Sequence, residues 1–543
     1  MSPTKPLDSL KIEGFRRLWM GIVVFNVGHL VLVVASSWLV LEMTGSPLWV
    51  SAMVGAPTAP LLLLALPAGA VADLFDRATI LRTSAATMML AAGAMAYVGF
   101  SGVDSPALLV GLGVLVGVGV AFFNPAWQAI VPELVPQHLV PGAIALNSAS
   151  GGVATALGPA LGGVLVANFG PAWSFVAAVV GYGAMLATSH ASSSTTSSQD
   201  VDTVPVAIAS GIRYLRFSDG YLVLLLLGSC FGFTSAALRA MLPNLTSESL
   251  AGGATLYGLL LGVFGAGAMI GGLTRGHGSR LFGRRMLPFS IFAFGVSGIV
   301  VGALPELGFV FAGVAISGLL WTWILATMNS VFQMLTPDWV RGRTMAAFVL
   351  AVFGILPVGA IAAGALGDLV GAAGAVVLFS ASVSVVGLIA LRMDLPVLEE
   401  IVPPVTVPRP HALGAAPPSS EGPVMVVGTW TIETEDDREH FDLVLAELRR
   451  VRLATGAFRW NAYRSLDDPS RISETYVVHS WEHHLQLEDR LDLKAKEIID
   501  EAERYGLRNQ RITTHLVELD VSSESGRRRN APDINGPPAR PEH

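Results

Sequence analysis

Gly69-Ala-Val-Ala-Asp73-Leu-Phe-Asp76-Arg77 and Gly276-His-Gly-Ser-Arg280-Leu-Phe-Gly283-Arg284 are one turn written twice: a glycine, a charged residue four positions on, Leu-Phe, and a closing arginine. A second pair of landmarks repeats at nearly the same interval. Gln128-Ala-Ile-Val-Pro132-Glu133 answers to Gln333-Met-Leu-Thr-Pro337-Asp338, and both pairs lie about 205 residues apart. Two matching features at one offset predict a parallel duplication of the segment that holds them.

Outward from each turn the chain is apolar. Of its 543 residues 52% are hydrophobic and 14% charged, with a mean hydropathy of +0.58. A soluble domain carries roughly 25% charged residues, so the lipid bilayer is the expected surroundings of most of this chain. A bilayer core of about 30 Å takes roughly 20 apolar residues per helix. Runs of that length lie near 18–42, 48–72, 83–101, 106–129, 142–166, 172–188, 220–243, 253–274, 286–304, 308–332, 344–366 and 372–392. They predict an all-α polytopic membrane protein of twelve transmembrane helices in two six-helix repeats. None has the ten-residue alternation of a barrel strand. The polar, basic start of the chain runs into its first apolar stretch without a small-residue cleavage site, so that stretch reads as an uncleaved span.

Charge fixes the expected orientation. One set of loops holds Lys5, Lys11, Arg16, Arg17, Arg77, Arg82, Arg213, Arg216, Arg275, Arg280, Arg284, Arg285, Arg341 and Arg343, whereas the opposite set is short and carries Asp104, Glu306 and Asp368. The positive-inside rule then puts both termini in the cytoplasm of a multi-pass inner-membrane protein. The net charge of −7 comes largely from the C-terminal region. The lone Cys230 excludes an internal disulfide or a cysteine-cluster metal site. No Walker-type phosphate loop is present, which leaves an ion gradient as the energy source. No cofactor, metal or nucleic acid is called for.

Strongly polar side chains within the runs gather on the first, fourth, seventh and tenth, with Asn147 of the fifth an exception: Asn26 and His29; Asn124 and Gln128; Ser235 and Arg239; Thr322, Asn329 and Gln333. Such groups are costly in lipid and face a pathway or the bundle interior. His29 has two readings, a proton-coupling group or a packing histidine. Arg239 either attracts an anionic substrate group or snorkels to the outer interface. Trp127, Trp321 and Trp323 either stack on an aromatic or amphipathic substrate or anchor span ends. Gly158, Pro159, Gly162 and Gly163 read as a site of close helix packing with a local kink.

At this point the residues resemble a known family. The turn after the second run is similar to the loop signature of the major facilitator superfamily, and Gly158-Pro159-Ala-Leu-Gly162-Gly163 resembles its antiporter motif. Phe15-Arg-Arg-Leu-Trp19, Leu41-Glu-Met-Thr-Gly-Ser46, Asn124-Pro-Ala-Trp-Gln128 and Arg341-Gly-Arg343 are similar to the branch holding the enterobactin exporter and macrolide and multidrug efflux proteins. The resemblance covers residues 14–392. It implies a major facilitator fold whose first, fourth, seventh and tenth helices line a central cavity. It also implies a cytoplasmic gate built on Gly69, Asp73, Arg77 and Arg82, with Arg280, Arg284, Arg341 and Arg343 in the other half. The function implied is export of a hydrophobic or amphipathic small molecule (drug, macrolide or siderophore) by alternating access with proton antiport. An importer of the same fold remains open.

Past a Pro/Ala-rich linker the chain changes character. The order of runs predicts β-α-β-β-α-β, a ferredoxin-like α+β unit, with strands in 424–432, 456–466, 473–481 and 511–519 and helices in 436–452 and 482–505. It resembles the dimeric α/β-barrel family that includes antibiotic-biosynthesis monooxygenases, which implies a homodimer, and related exporters carry a similar tail around a Ser-Trp-x-x-His element, here Ser480-Trp481-Glu482-His483-His484. His479, His483 and His484 are either its candidate acid–base groups or part of the surface of a dimerising or regulatory module, which keeps a second function in view, a membrane-tethered enzyme acting on a small molecule. The expected divisions are residues 1–188, a central cytoplasmic linker 189–219, 220–393, a linker 394–423, the soluble domain 424–520 and a tail 521–543.

Overall fold

The computed structural model describes residues 6–189, 204–218, 220–393, 395, 422–432, 434–489, 491, 493–505 and 512–517. Most of the expected central linker, the Pro/Ala-rich linker and the tail lie outside the described residues. The chain divides into two compact units, Met1–Gly211 with Asp219–Ile401, and Ile212–Ser218 with Val402–His543.

The first unit is helical, and proline, glycine and short polar caps set its boundaries. Helix α1 (Glu13–Thr44) ends where Gly45 adopts φ +61°. The second run, expected as one helix, forms two, α2 (Pro47–Gly55) and α3 (Leu61–Leu74). Pro57 and Pro60 each lack an amide donor, and the chain passes between the helices in tight turns such as Thr58 N to Gly55 O at 3.0 Å. Helix α4 (Arg77–Ser101) starts on Asp76, whose carboxylate accepts from Thr79 N at 2.8 Å. There follow α5 (Pro106–Glu133), α6 (Val140–Phe169), α7 (Pro171–Thr188) and the shorter α8 (Val204–Phe217), whose residues from Ile212 are grouped with the second unit. Then come α9 (Tyr221–Glu248), α10 (Ala254–Phe282), α11 (Met286–Ala303) and α12 (Leu307–Leu335). Helix α13 (Asp338–Val349) passes through a π turn (Leu350–Gly354) into α14 (Leu356–Ala390).

Among the described residues nine helical tracts are long and apolar enough to cross a membrane. Two of them, Ala254–Ala303 and Val340–Ala390, run to 50 and 51 residues. Each is interrupted by a glycine at positive φ, Gly283 at +48° and Gly371 at +81°, a conformation that L side chains rarely adopt. Large apolar side chains such as Leu90, Leu273 and Leu369 stand exposed on the outside, as lipid-facing positions do.

The helix packing falls into two groups. In the first half α1 packs on α7, α4 on α5 and α7, and α3 on α5. In the second half α9 packs on α14, α11 on α12 and α14, and α10 on α12. Two seams join the halves, α6 against α10 and α2 against α14.

The second unit holds a four-stranded antiparallel sheet, β1 (Val424–Thr431), β2 (Arg459–Arg464), β3 (Arg471–Val478) and β4 (Ile512–Val517), in the order β2-β3-β1-β4. Helix α15 (Glu435–Thr455) connects the first two strands, and α16 (Trp481–Asp489) and α17 (Leu493–Tyr505) precede the last. The single helix expected over 482–505 is thus divided. Leu491, between the two pieces, is buried in a cluster with Val451 of α15 and Ala495, a contact that favours the break. Strand β1 alternates buried and part-exposed positions, placing Val424, Val426 and Trp430 in the core with Phe441 and Tyr476.

Candidate functional site

A cavity of about 650 Å³ lies between the two halves of the helical unit. One wall is Leu30 and Val33 of α1 with Thr155 and Pro159 of α6. The other is Arg239 of α9, Leu261, Phe264, Ala268 and Arg275 of α10, a strip of α12 from Trp321 to Ser330, and Phe348 and Phe353. Its helices differ from those expected. The α5 residues Asn124 and Gln128 are exposed but do not line it, whereas α6 and α10, from the fifth and eighth runs, do. On α1 the lining residues are Leu30 and Val33 rather than Asn26 and His29. His29 instead lies 2.9 Å from the Tyr182 hydroxyl of α7 and stacks on Phe25.

Of the expected cavity residues, Arg239, Thr322 and Asn329 reach the wall. Arg239 lies over the Phe264 ring, 5.8 Å from its centroid. Thr322 returns its hydroxyl to Gly318 O at 3.4 Å. Asn329 accepts from Gln333 one turn on, which is itself exposed. Of the three tryptophans only Trp321 faces the cavity, packed among Phe231, Phe264 and Phe294. Trp323 is tied to α10 through Gly271 O at 3.0 Å, and Trp127 donates to Asn147 at 3.1 Å.

The apolar run ends at 274, which places Arg275 among the loop arginines. The helix continues to Phe282, so Arg275 lies on its side wall, where it donates to Ser330 Oγ of α12 at 2.6 Å. The signal was periodic. Leu261, Phe264, Ala268 and Arg275 follow a helical spacing that places them on one face.

The glycine motif of α6 sits between both halves. A Cβ on Gly158 or Gly162 would press on Leu30 or Val31 of α1, at 2.8 and 3.1 Å. A Cβ on Gly163 would lie 2.5 Å from Ala254 O of α10, across the seam. From the other side, Gly258, Gly262 and Gly265 turn their bare Cα atoms to Pro159 O, Ala156 O and Thr155 O. Pro159 has no amide to give the Thr155 carbonyl four residues back, and Gly265 fills that position with a close Cα approach. Backbone therefore meets backbone along this seam.

The second seam is polar at one end of the bundle. Asp368 of α14 accepts from Ser46 Oγ at 3.1 Å and from Leu48 N at 3.4 Å, at the start of α2. A carboxylate there satisfies an amide that the helix leaves open. At the opposite end lie the expected gate residues. Arg77 pairs with Glu133, joining the start of α4 to the end of α5. Arg82 donates to Thr79 Oγ1 at 2.8 Å and lies 3.7 Å from Asp76. Gly69 and Asp73 lie on α3, with open space beside the Gly69 Cα; the Asp73 side chain lies outside the described residues. Arg280 and Arg284 are exposed where α10 ends, Arg341 donates to Thr336 O at 3.2 Å, and Arg343 is half-buried on α13.

Comparison with known proteins agrees with this geometry. The chain is 26% identical over 392 residues to the multidrug efflux pump Tap of Mycolicibacterium fortuitum, covering 69% of this chain and 94% of the pump. It is 23% identical to the staphyloferrin A transporter of Staphylococcus aureus, over 58% of this chain and 79% of that one. It is 24% identical to macrolide efflux protein A of Streptococcus pyogenes, over 66% and 90%. Its fold resembles that of a bacterial homologue of the lysosomal transporter Spinster in an inward-facing, unoccupied conformation. The TM-score there is 0.55, with 15% identity, over 70% of this chain and 96% of that one. The family model for transmembrane secretion effectors matches residues 4–522. The chain is a multi-pass transporter of the cell membrane and belongs to the transmembrane secretion effector family of the major facilitator superfamily.

Proposed function

We propose that the chain is a secondary active exporter carrying hydrophobic or amphipathic small molecules, of the drug, macrolide or siderophore kind, by alternating access with proton antiport. The carrying observation is the largely apolar cavity between duplicated halves, whose volume of about 650 Å³ falls among small-molecule sites. The names of the relatives, drug and macrolide efflux proteins and a siderophore transporter, support export over import. The α6–α10 seam suits rocking of the halves, because backbone contacts can slide without unlocking interdigitated side chains. The Asp368 clasp holds one end shut. Asp73, Arg77 and Arg82, with Arg280, Arg284, Arg341 and Arg343, are the gate at the other, and His29 with Tyr182 is the candidate proton-coupling pair.

This reading takes twelve crossings. A straight 50-residue helix would span about 75 Å, more than twice a bilayer core of about 30 Å, so each long tract supplies two and α2 with α3 supplies one. The arginine-bearing turns and both termini face the cytoplasm. The six-helix repeats are residues 1–188 and 220–393, and 424–520 is a ferredoxin-like domain, a reading supported by its strand order. The open sheet face, with Met425, Tyr463 and Leu516 exposed, suits a homodimer.

The test is efflux of a panel of dyes, macrolides and siderophores from cells expressing wild type or Asp73→Asn, with and without a protonophore. Wild type should lower accumulation, the protonophore should abolish the effect, and Asp73→Asn should cut it about tenfold, the scale of one lost charge-assisted hydrogen bond. Efflux that survives uncoupling would remove proton antiport. No efflux from well-expressed wild type would remove the exporter reading.

A further inference from the structure

Among the described residues, two arginines and no carboxylate line the cavity. Their visible partners are neutral: a phenyl ring for Arg239 and a serine hydroxyl for Arg275. Two described carboxylates of the bundle are engaged elsewhere, Glu42 by Trp38 Nε1 at 2.6 Å and Asp368 by Ser46 and Leu48. An arginine keeps its charge in any protein setting, and a charge at membrane depth marks a pathway and calls for a partner. The cavity thus holds fixed positive charge against aromatic and aliphatic walls.

We propose that the cavity takes amphipathic molecules bearing an anionic group, a carboxylate, sulfonate or phosphate, with Arg239 and Arg275 as successive anion contacts. The proposal rests on the exporter reading and narrows its substrate class. From Phe264, which carries Arg239, to Arg275 is about 16 Å along α10 at 1.5 Å per residue. The anionic end passes from one arginine to the other while the apolar body rests on Phe264, Trp321 and Leu325. Lipophilic cations are disfavoured by the same charges. An anionic lipid headgroup and a soluble amphipathic anion share this chemistry.

The test uses fluorescein and rhodamine 123, which share a xanthene ring but carry opposite charge. Binding to the purified full-length protein is followed by dye anisotropy, with monodisperse elution as the check on folding. Wild type should prefer fluorescein by about tenfold or more, the scale of a hydrogen bond to a charged group. Arg239→Gln should erase most of that preference, Arg275→Gln a smaller part, and Arg239→Lys should restore most of it. Equal binding of both dyes, binding of neither, or an unchanged ratio in monodisperse Arg239→Gln overturns the proposal.

Flux in proteoliposomes under an imposed proton gradient separates this result from the exporter reading. Uphill transport of rhodamine 123 without an arginine-dependent preference removes the anion site and leaves the exporter. Arg239-dependent fluorescein binding without transport of either dye does the reverse. Vesicles of phosphatidylcholine with or without phosphatidylglycerol identify the source of the anion. Loss of fluorescein binding through Arg239 when phosphatidylglycerol is present assigns the site to a lipid headgroup. Binding that persists assigns it to a soluble anion, and either result supports the anion site.

Discussion

Arg452 in the small domain and Arg239 in the helical unit are both withdrawn from bulk solvent, but their neighbours differ. Arg452 is 5% exposed and donates through Nε to Glu474 at 3.1 Å. The same carboxylate oxygen accepts from Trp460 Nε1 at 2.8 Å, and the guanidinium lies over the Tyr476 ring at 4.6 Å. Around Arg239 there is an aromatic ring and an open cavity. The first arrangement consumes the charge within the fold; the second leaves it facing the space a substrate would enter. A buried charge is therefore read by its partners rather than by its depth.

The contrast breaks most easily at Glu474. Glu474→Gln takes the carboxylate away from the Arg452 charge, and breaking a buried pair costs about 3–5 kcal/mol. Amides of β1 and β3 in the full-length chain should then exchange hydrogen about a hundredfold faster or more; less than about a tenfold change would show that Arg452 needs no partner.

Acid tests the same core from another side. The His484 imidazole lies 3.0 Å from that of His515. Burial first, then His515 and Arg452, push its pKa down from 6.5 to about 4. As pH falls below 6.5 the unfolded chain binds the proton before the folded domain does. The stabilisation is thus complete above pH 6.5 and is lost towards pH 4, by up to about 3 kcal/mol. Hydrogen exchange of β1 and β4, corrected for intrinsic rates, should show this slope in wild type and lose it in His484→Gln.

The smallest effect is expected at Arg239 itself. Arg239→Gln removes no ion pair among the described residues, so the thermal midpoint in detergent should move by no more than about 0.5 kcal/mol in equivalent stability. A large loss would place Arg239 with Arg452 as a structural charge and sink the comparison.

Much of the fold was legible in the sequence because apolar run length is a local property. The run 106–129 is α5 (Pro106–Glu133), the run 286–304 is α11 (Met286–Ala303), and the strand expected in 424–432 is β1. The main reading, a transporter of the major facilitator type, also stands, and nothing favours the membrane-tethered enzyme over it. Helix ends were less legible, since helices continue past the apolar run that marks them. That is why Arg275 read as a loop residue. The break at Pro57 and Pro60 was visible as two prolines, but membrane helices tolerate proline, so sequence alone did not decide between a kink and two helices.

By itself the sequence determined the apolar spans, the duplicated turns and the order of the C-terminal strands, all set by neighbours along the chain. Tertiary structure alone decided which polar groups meet. Ser46 and Asp368 are 322 residues apart, His29 and Tyr182 153, and Arg275 and Ser330 55. Periodicity places a side chain on a face of its helix, but the partner opposite that face is chosen only when the helices pack.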